Sequence, residues 1–188
     1  RVMDRMMKDA RQRCPELSYT CHQRVVKKLV TVIRNCKGAS IRQAHYKKLI
    51  KYTRKTLGTV KETLLSHKEW LDWVVQAEHI IPLVERIIDQ AERRVIKGED
   101  LSAEEKIVSL FEPHTDIIVK DKRQVQYGHK INFSSGKHGM ILDTVIESGN
   151  PADSSRLMPM IKRLDEVYGM LPNQVAADAG YASTANID

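Results

Sequence analysis

The spacing of apolar residues changes partway along the chain, and two kinds of structure follow from that change. As far as about residue 97, apolar side chains recur every three or four positions, with neither strand alternation nor glycine-rich turns. After about residue 106, β-branched residues become dense, glycines punctuate the text and the period shifts toward two. The reading is α/β in the α+β sense: a helical region over 1–105, then a region over 106–188 with both strands and helix. A chain of 188 residues can bury one domain or two small ones. Apolar runs such as Val74-Val75 and Ile80-Ile81 are cut by charge or by Pro82. They fall far short of the roughly 20 residues that a membrane-spanning helix needs.

Within the front region, Val25, Val26, Leu29, Val30 and Ile33 line one side of a helix over about 19–36. Gly38 is placed to close it in a left-handed cap and Ser40 to start the next. In that next helix Tyr46, Leu49, Ile50, Thr53 and Leu57 face inward, while Lys47, Lys51, Arg54 and Lys55 fall on the outward face. Further helical regions are expected over about 60–77 and 78–97, the last carrying Ile80, Ile81, Val84, Ile87, Ile88, Ala91 and Val95 inward and ending at Gly98. Trp70 and Trp73, three apart, read as core rather than as a stacking platform. Ser102 and Glu105 have the spacing of a capping box.

Charge is as uneven as period. Residues 1–60 hold 16 Lys or Arg against 3 Asp or Glu, whereas the whole chain holds 31 against 24. A field of that sign attracts polyanions, so nucleic acid is the first partner to consider, against the plainer reading of a solvated basic face. Cys14, Cys21 and Cys36 match neither a disulfide framework nor paired zinc knuckles and read as reduced thiols. The opening at Arg1 without a leader pattern, and the stop at Asp188, read as an internal fragment.

In the second region Val125, Tyr127, His129, Ile131 and Phe133 alternate with polar residues, giving a strand with its apolar face inward. Turn chemistry at 134–139 and an apolar arm from Met140 to Glu147 complete a β-hairpin. Asp153 or Ser154 then caps a helix with Leu157, Met160, Ile161, Leu164 and Val167 on one side. It begins in an irregular turn or is kinked at Pro159, and is closed by Gly169. A short apolar strand over 174–177 ends at Asp178.

Hairpin, helix, then a strand tipped by an acid is an order that resembles an RNase H-like core. A carboxylate at the carboxyl end of a strand lies where open α/β sheets bind ligands. Hard oxygen donors of that kind suit Mg²⁺ or Mn²⁺, which serve phosphodiester chemistry in pairs. An aspartate beside a glycine also forms turns, and a lone carboxylate cannot run the reaction. No GxxxxGK[ST] loop or GxSxG elbow is present, so nucleotide hydrolysis and serine-hydrolase chemistry lack support.

Four ordered segments carry a more specific likeness. They are Val108-Ser-Leu-Phe-Glu-Pro-His-Thr-Asp-Ile-Ile-Val-Lys120, Tyr127-Gly-His-Lys130, Ser148-Gly-Asn-Pro-Ala-Asp153 and Ala176-Ala-Asp-Ala-Gly-Tyr-Ala-Ser183. Together with the helical segments from Ile80 and Ile88, they resemble insertion-sequence transposases of the ISNCY type, within the DDE superfamily. That resemblance implies an RNase H-like catalytic core with Asp178 as the second of three metal-binding carboxylates, using Mg²⁺ or Mn²⁺. The first Asp and the closing Glu are then expected outside 1–188. It also implies DNA as partner (element ends and target), a homo-oligomer at full length, no membrane, and a bacterial cytoplasmic location with the nucleoid as site of action. The isolated chain is expected to be inactive.

Other candidates have bland readings beside the sharp ones. Lys47, Lys51, Arg54, Lys55 and Lys130 are the candidate DNA contacts, with solvated faces as the alternative. Glu112, His114 and Asp116, two apart, resemble a metal-ligand pattern, yet Pro113 favours a turn there. Asp143 reads as part of a solvated strand face. A nuclease or resolvase with the same core, or a DNA-binding module without catalysis, are the competing functions.

Overall fold

A computed structural model describes residues 1–120 and 124–187. It is α+β and divides into two compact units, Arg1–Pro113 and His114–Asp188. Among the described residues no helix is long and apolar enough to cross a membrane.

The first unit is helical: α1 (Val2–Arg13), α2 (Gln23–Asn35), α3 (Ala39–Ser66) and α4 (Leu71–Ala91), the last continuing into a π-helical turn over Glu92–Lys97. Its core gathers Met6, Met7 and Ala10 of α1, Ile50, Leu57 and Val60 of α3, and Trp73, Ala77, Ile80, Ile81, Val84 and Ile88 of α4. These are i, i+3, i+4 sets on three helices, which is why three helices close on one interior. The Trp73 indole N–H donates to the Met6 carbonyl at 3.0 Å, so its one polar atom is satisfied inside. Buried Thr56 and Thr63 return their hydroxyls to the Tyr52 and Thr59 carbonyls of their own helix. Trp70 is half-buried, its ring stacked on His67 at 4.0 Å.

Several boundaries differ from the expectation. α3 does not break near residue 60, because Leu57, Val60 and Thr63 carry the same buried stripe onward to Ser66. The break comes at 67–70 instead. Gly38 is not a left-handed cap: its φ of −85° is ordinary, and it leads into α3, leaving Ser40 inside the first turn. α2 ends on extended Cys36, whose carbonyl accepts from the Arg42 guanidinium at 2.9 Å. Gly98 does close its helix at φ 75°. Pro82 sits inside α4 on the exposed side, where the carbonyl its missing N–H leaves unpaired faces water.

The segment after Gly98 stays with the helical unit, which places the division beyond residue 105. Leu101 and Ile107 are buried, Leu110 packs on the core, and the Ile107 amide donates to Gln90 at 2.8 Å. The Ser102 and Glu105 side chains exchange hydrogen bonds with each other's amides at 3.3 and 3.1 Å, completing the capping box.

The second unit holds two antiparallel pairs, β1 (Asp116–Lys120) with β2 (Gln124–Gly128) and β3 (Ile131–Ser135) with β4 (Ile141–Ile146). α5 (Leu157–Tyr168) and a terminal turn α6 (Thr184–Ile187) follow. The single strand expected across 125–133 is therefore two, broken where Gly128 adopts φ 156°, a conformation open to glycine. The β3–β4 hairpin forms, with its faces reversed from the expectation: Ile131 and Phe133 are 54% and 64% exposed while Asn132 is 3% exposed. Register explains this, since Asn132 and Ser134 pair with Val145 and Asp143 on the face that α5 and the chain end cover.

α5 closes at Gly169, φ 68°, as expected, but neither Asp153 nor Ser154 caps it: both lie in a 3₁₀ turn over Asp153–Ser155, and Arg156 takes the N-cap position without a side-chain bond. Pro159 falls in its first turn, where a missing donor costs no helical bond. The strand expected over 174–177 is absent. Those residues are exposed and pair with no strand among the described residues, and an extended segment without a partner is not a strand.

Candidate functional site

Asp178 lies at an exposed corner of the second unit. Its backbone is extended (φ −60°, ψ 153°), its carbonyl accepts from the Tyr181 amide at 2.9 Å, and a 3₁₀ turn over Ala179–Tyr181 follows at once. The carboxylate does not cap that turn. Asp178 and its neighbours from Asn173 to Gly180 are exposed.

What holds this corner is a chain of polar contacts into the hairpin. The Tyr181 hydroxyl donates to Asn132 Oδ1 at 2.8 Å, Asn132 Nδ2 donates to Glu147 Oε1 at 2.8 Å, and Glu147 Oε2 pairs with Arg156 at 3.2 Å. Asn132 thereby spends both ends of its amide on groups far apart in sequence. Gly180 rests against Asp153: a Cβ there would stand 3.0 Å from Asp153 Oδ2. Asp153 is in turn held by Lys130 Nζ at 2.5 Å, and the same ammonium donates to the Pro151 carbonyl at 2.5 Å. Asn186 Nδ2 donates to the Ser154 and Tyr181 carbonyls, each at 2.7 Å. Burial pushes the Tyr181 hydroxyl above its ordinary range, and the charges of Asp153, Asp178 and Glu147 add to the effect.

Asp116 extends the same assembly. Its Oδ2 accepts from the Gly149 amide at 2.9 Å and stands 3.6 Å from His129 Nδ1, while Asn150 Nδ2 reaches the Val119 carbonyl at 3.3 Å. His129 stacks on His114 with ring centres 5.0 Å apart. Asp116 thus holds the Gly149 turn and His114 packs on His129. Asp143 is not solvated: its side chain is 11% exposed and takes a two-pronged bond from Arg163 at 2.7 and 2.8 Å, tying β4 to α5.

Of the expected DNA contacts, Lys47, Lys51, Arg54 and Lys55 are all exposed on α3 and line one groove. Lys130 lies elsewhere, its side chain only 16% exposed and its ammonium committed to Pro151 and Asp153. Asn132, Glu147, Arg156 and Tyr181 escaped sequence reasoning. Their only local trace is a tyrosine three after the aspartate, since the apolar period puts Asn132 on the outward face.

Among the described residues no group of three or more His, Cys, Asp or Glu is set to hold a metal ion. Asp178 supplies one hard oxygen donor group, while Asp153 and Glu147 are spent on Lys130 and Arg156. These residues alone do not build a Mg²⁺ site. Compared with known proteins, the chain matches no family model, no curated protein and no solved structure.

Proposed function

We propose that this chain is part of a DDE-type, ISNCY-like insertion-sequence transposase, with Asp178 the second carboxylate of an RNase H-like core. One observation carries the reading. The four segments on which the resemblance rests meet in a single polar assembly, through Asp116 and Val119, His129 and Lys130, Gly149 to Asp153, and Gly180 to Tyr181. Segments spread over more than sixty residues have converged on a corner that presents one aspartate to solvent.

On this reading the longer parent protein cleaves and joins DNA with Mg²⁺ or Mn²⁺, as a homo-oligomer working at element ends in the bacterial cytoplasm. The partner carboxylates and the sheet strand beside 174–177 lie outside residues 1–188. The apolar side chains that β3 and β4 leave in water, Ile131, Phe133, Ile141 and Ile146, are the surface such a sheet would cover. The basic first unit positions DNA.

The test is divalent-ion-dependent cleavage of DNA bearing the element ends, by the parent and its Asp178→Ala variant. We expect the parent to cut and the variant to bind DNA without cutting. Equal cleavage by both would remove Asp178 from the site. Cleavage without joining would mark a nuclease with the same core. The 188-residue chain should cut nothing under the same conditions.

A further inference from the structure

We propose that the groove along the first half of α3 is a seat for the phosphate backbone of duplex DNA, and that Glu92 regulates it by holding Arg54. Residues 17–61, which form α2 and most of α3, contain no Asp or Glu and 12 Lys or Arg. The groove itself, about 570 Å³, is lined by Lys47, Lys51, Arg54 and Lys55, with Ile50, Ile96 and Glu92 completing it.

Lys47, Lys51 and Lys55 stand one helical turn apart, about 6 Å each, and so cover about 12 Å. Duplex DNA offers a phosphate about every 3.4 Å along each strand, so three to four phosphates of one strand match that length. Like charges at i, i+4 destabilise a helix. A merely solvated face would interleave acids, as α4 does with Glu85 and Asp89. The uncompensated run on α3 is therefore a cost that an anionic partner removes.

The sign of the surface also fixes where the track ends. Beyond Arg54 the neighbouring hollow, about 400 Å³, is lined by Glu85, Asp89 and Glu92, and its Lys61 is already paired with Glu85 at 2.5 Å. A polyanion is repelled from that end and drawn toward Lys47. At the junction Arg54 Nη2 meets Glu92 Oε2 at 2.8 Å, the one ion pair among the groove's four cations within the described residues. Exposed pairs of this kind are weak, and a guanidinium binds phosphate in the same forked way, so phosphate competes with Glu92 for Arg54.

The proposal rests on the transposase reading only for the choice of duplex DNA as the polyanion. Its test is fluorescence anisotropy of the 188-residue chain with a labelled duplex of about two helical turns, between about 50 and 200 mM salt. Four neutralised phosphates give a log–log salt slope of about −3.6. Lys51→Glu with Lys55→Glu should weaken binding at least about tenfold and lower the slope by about two, with Lys51→Gln and Lys55→Gln showing a smaller loss in the same direction. Glu92→Gln should tighten binding about two- to fivefold. Circular dichroism confirms that each variant keeps its helices. Unchanged binding by folded charge-reversed protein, or weaker binding by Glu92→Gln, overturns the proposal. Tighter binding of single-stranded RNA of equal length overturns the duplex assignment. If the groove binds DNA while the parent cuts none, the transposase reading falls and this one stands. If the parent cuts while charge reversal leaves binding intact, the reverse holds.

Discussion

The two units are stabilised by different means. The first buries Met7, Val60 and Trp73 almost completely, inside a cluster drawn from three helices. The second buries only Ile118 and Met160 of its apolar side chains among the described residues, buries an asparagine, Asn132, beside them, and leaves Ile131, Phe133, Ile141 and Ile146 more than half exposed. Apolar burial is non-directional and tolerates local rearrangement, whereas a hydrogen-bonded interior fixes particular atoms at particular distances. The helical unit has the construction of a scaffold, and the smaller unit has that of a device for holding one corner in place. This contrast is open to attack from both sides.

The largest effect is expected in the apolar unit. Trp73→Ala empties a site that is 1% exposed and orphans the Met6 carbonyl, so it should cost about 3–5 kcal/mol. Hydrogen exchange followed by mass spectrometry reads the two units separately. Protection should collapse across α1, α3 and α4 while β3 and β4 keep theirs. Loss of protection in both units together would show that the division is not a thermodynamic one.

A smaller effect is expected from the polar unit. Asn132→Ala removes the acceptor of Tyr181 and a donor to Glu147, which should cost about 1–3 kcal/mol through the groups left unpaired. Protection should fall at 131–135 and at 178–181 together, with the helices untouched. A response confined to β3 would mean that the corner bearing Asp178 stands without the network. Tyr181→Phe deletes one hydrogen bond and keeps the ring, so about 0.5–1.5 kcal/mol is expected, concentrated at 178–181.

The same contrast explains what was legible in the sequence. Apolar period reports burial of apolar side chains, so it marked the helices of the first unit and Ile80, Ile81, Val84 and Ile88 as core. The break expected near residue 60 is absent, since Leu57, Val60 and Thr63 carry one buried stripe across it. In the second unit the period assigned the wrong face of β3, since there the covered side is polar. Nothing local in Asn132 announces a partner 49 residues away in Tyr181. The hairpin, α5 and its closing glycine depend on local turn chemistry and were readable. The strand expected over 174–177 did not form, because a strand needs a neighbour that an apolar run alone does not supply. Asp178 itself stood out as a position, while the apparatus that holds it did not.

The smallest expected effect compares one ion pair in each unit. Arg13 grips Asp72 with two bonds at 2.7 and 2.6 Å, and Arg163 grips Asp143 at 2.7 and 2.8 Å. The guanidinium bonds hold the Asp72 carboxyl down at about 2 and keep Asp143 below its usual range. A carboxyl whose folded value is depressed contributes stability above its unfolded value, about 3.9, and loses it as pH falls through the folded value. Both pairs therefore weaken on acidification, the Asp72 pair between about pH 4 and 2. The Asp72 side chain is 73% exposed and the Asp143 side chain 11%, so water and salt screen the first far more than the second. In acid titrations followed by hydrogen exchange, Asp143→Asn should flatten the acid response of β4 and α5, whereas Asp72→Asn should barely alter that of α1 and α4. If Asp72→Asn produced the larger change, directional polar contacts would matter as much in the helical unit as in the other, and the contrast between the two would fail at its weakest point.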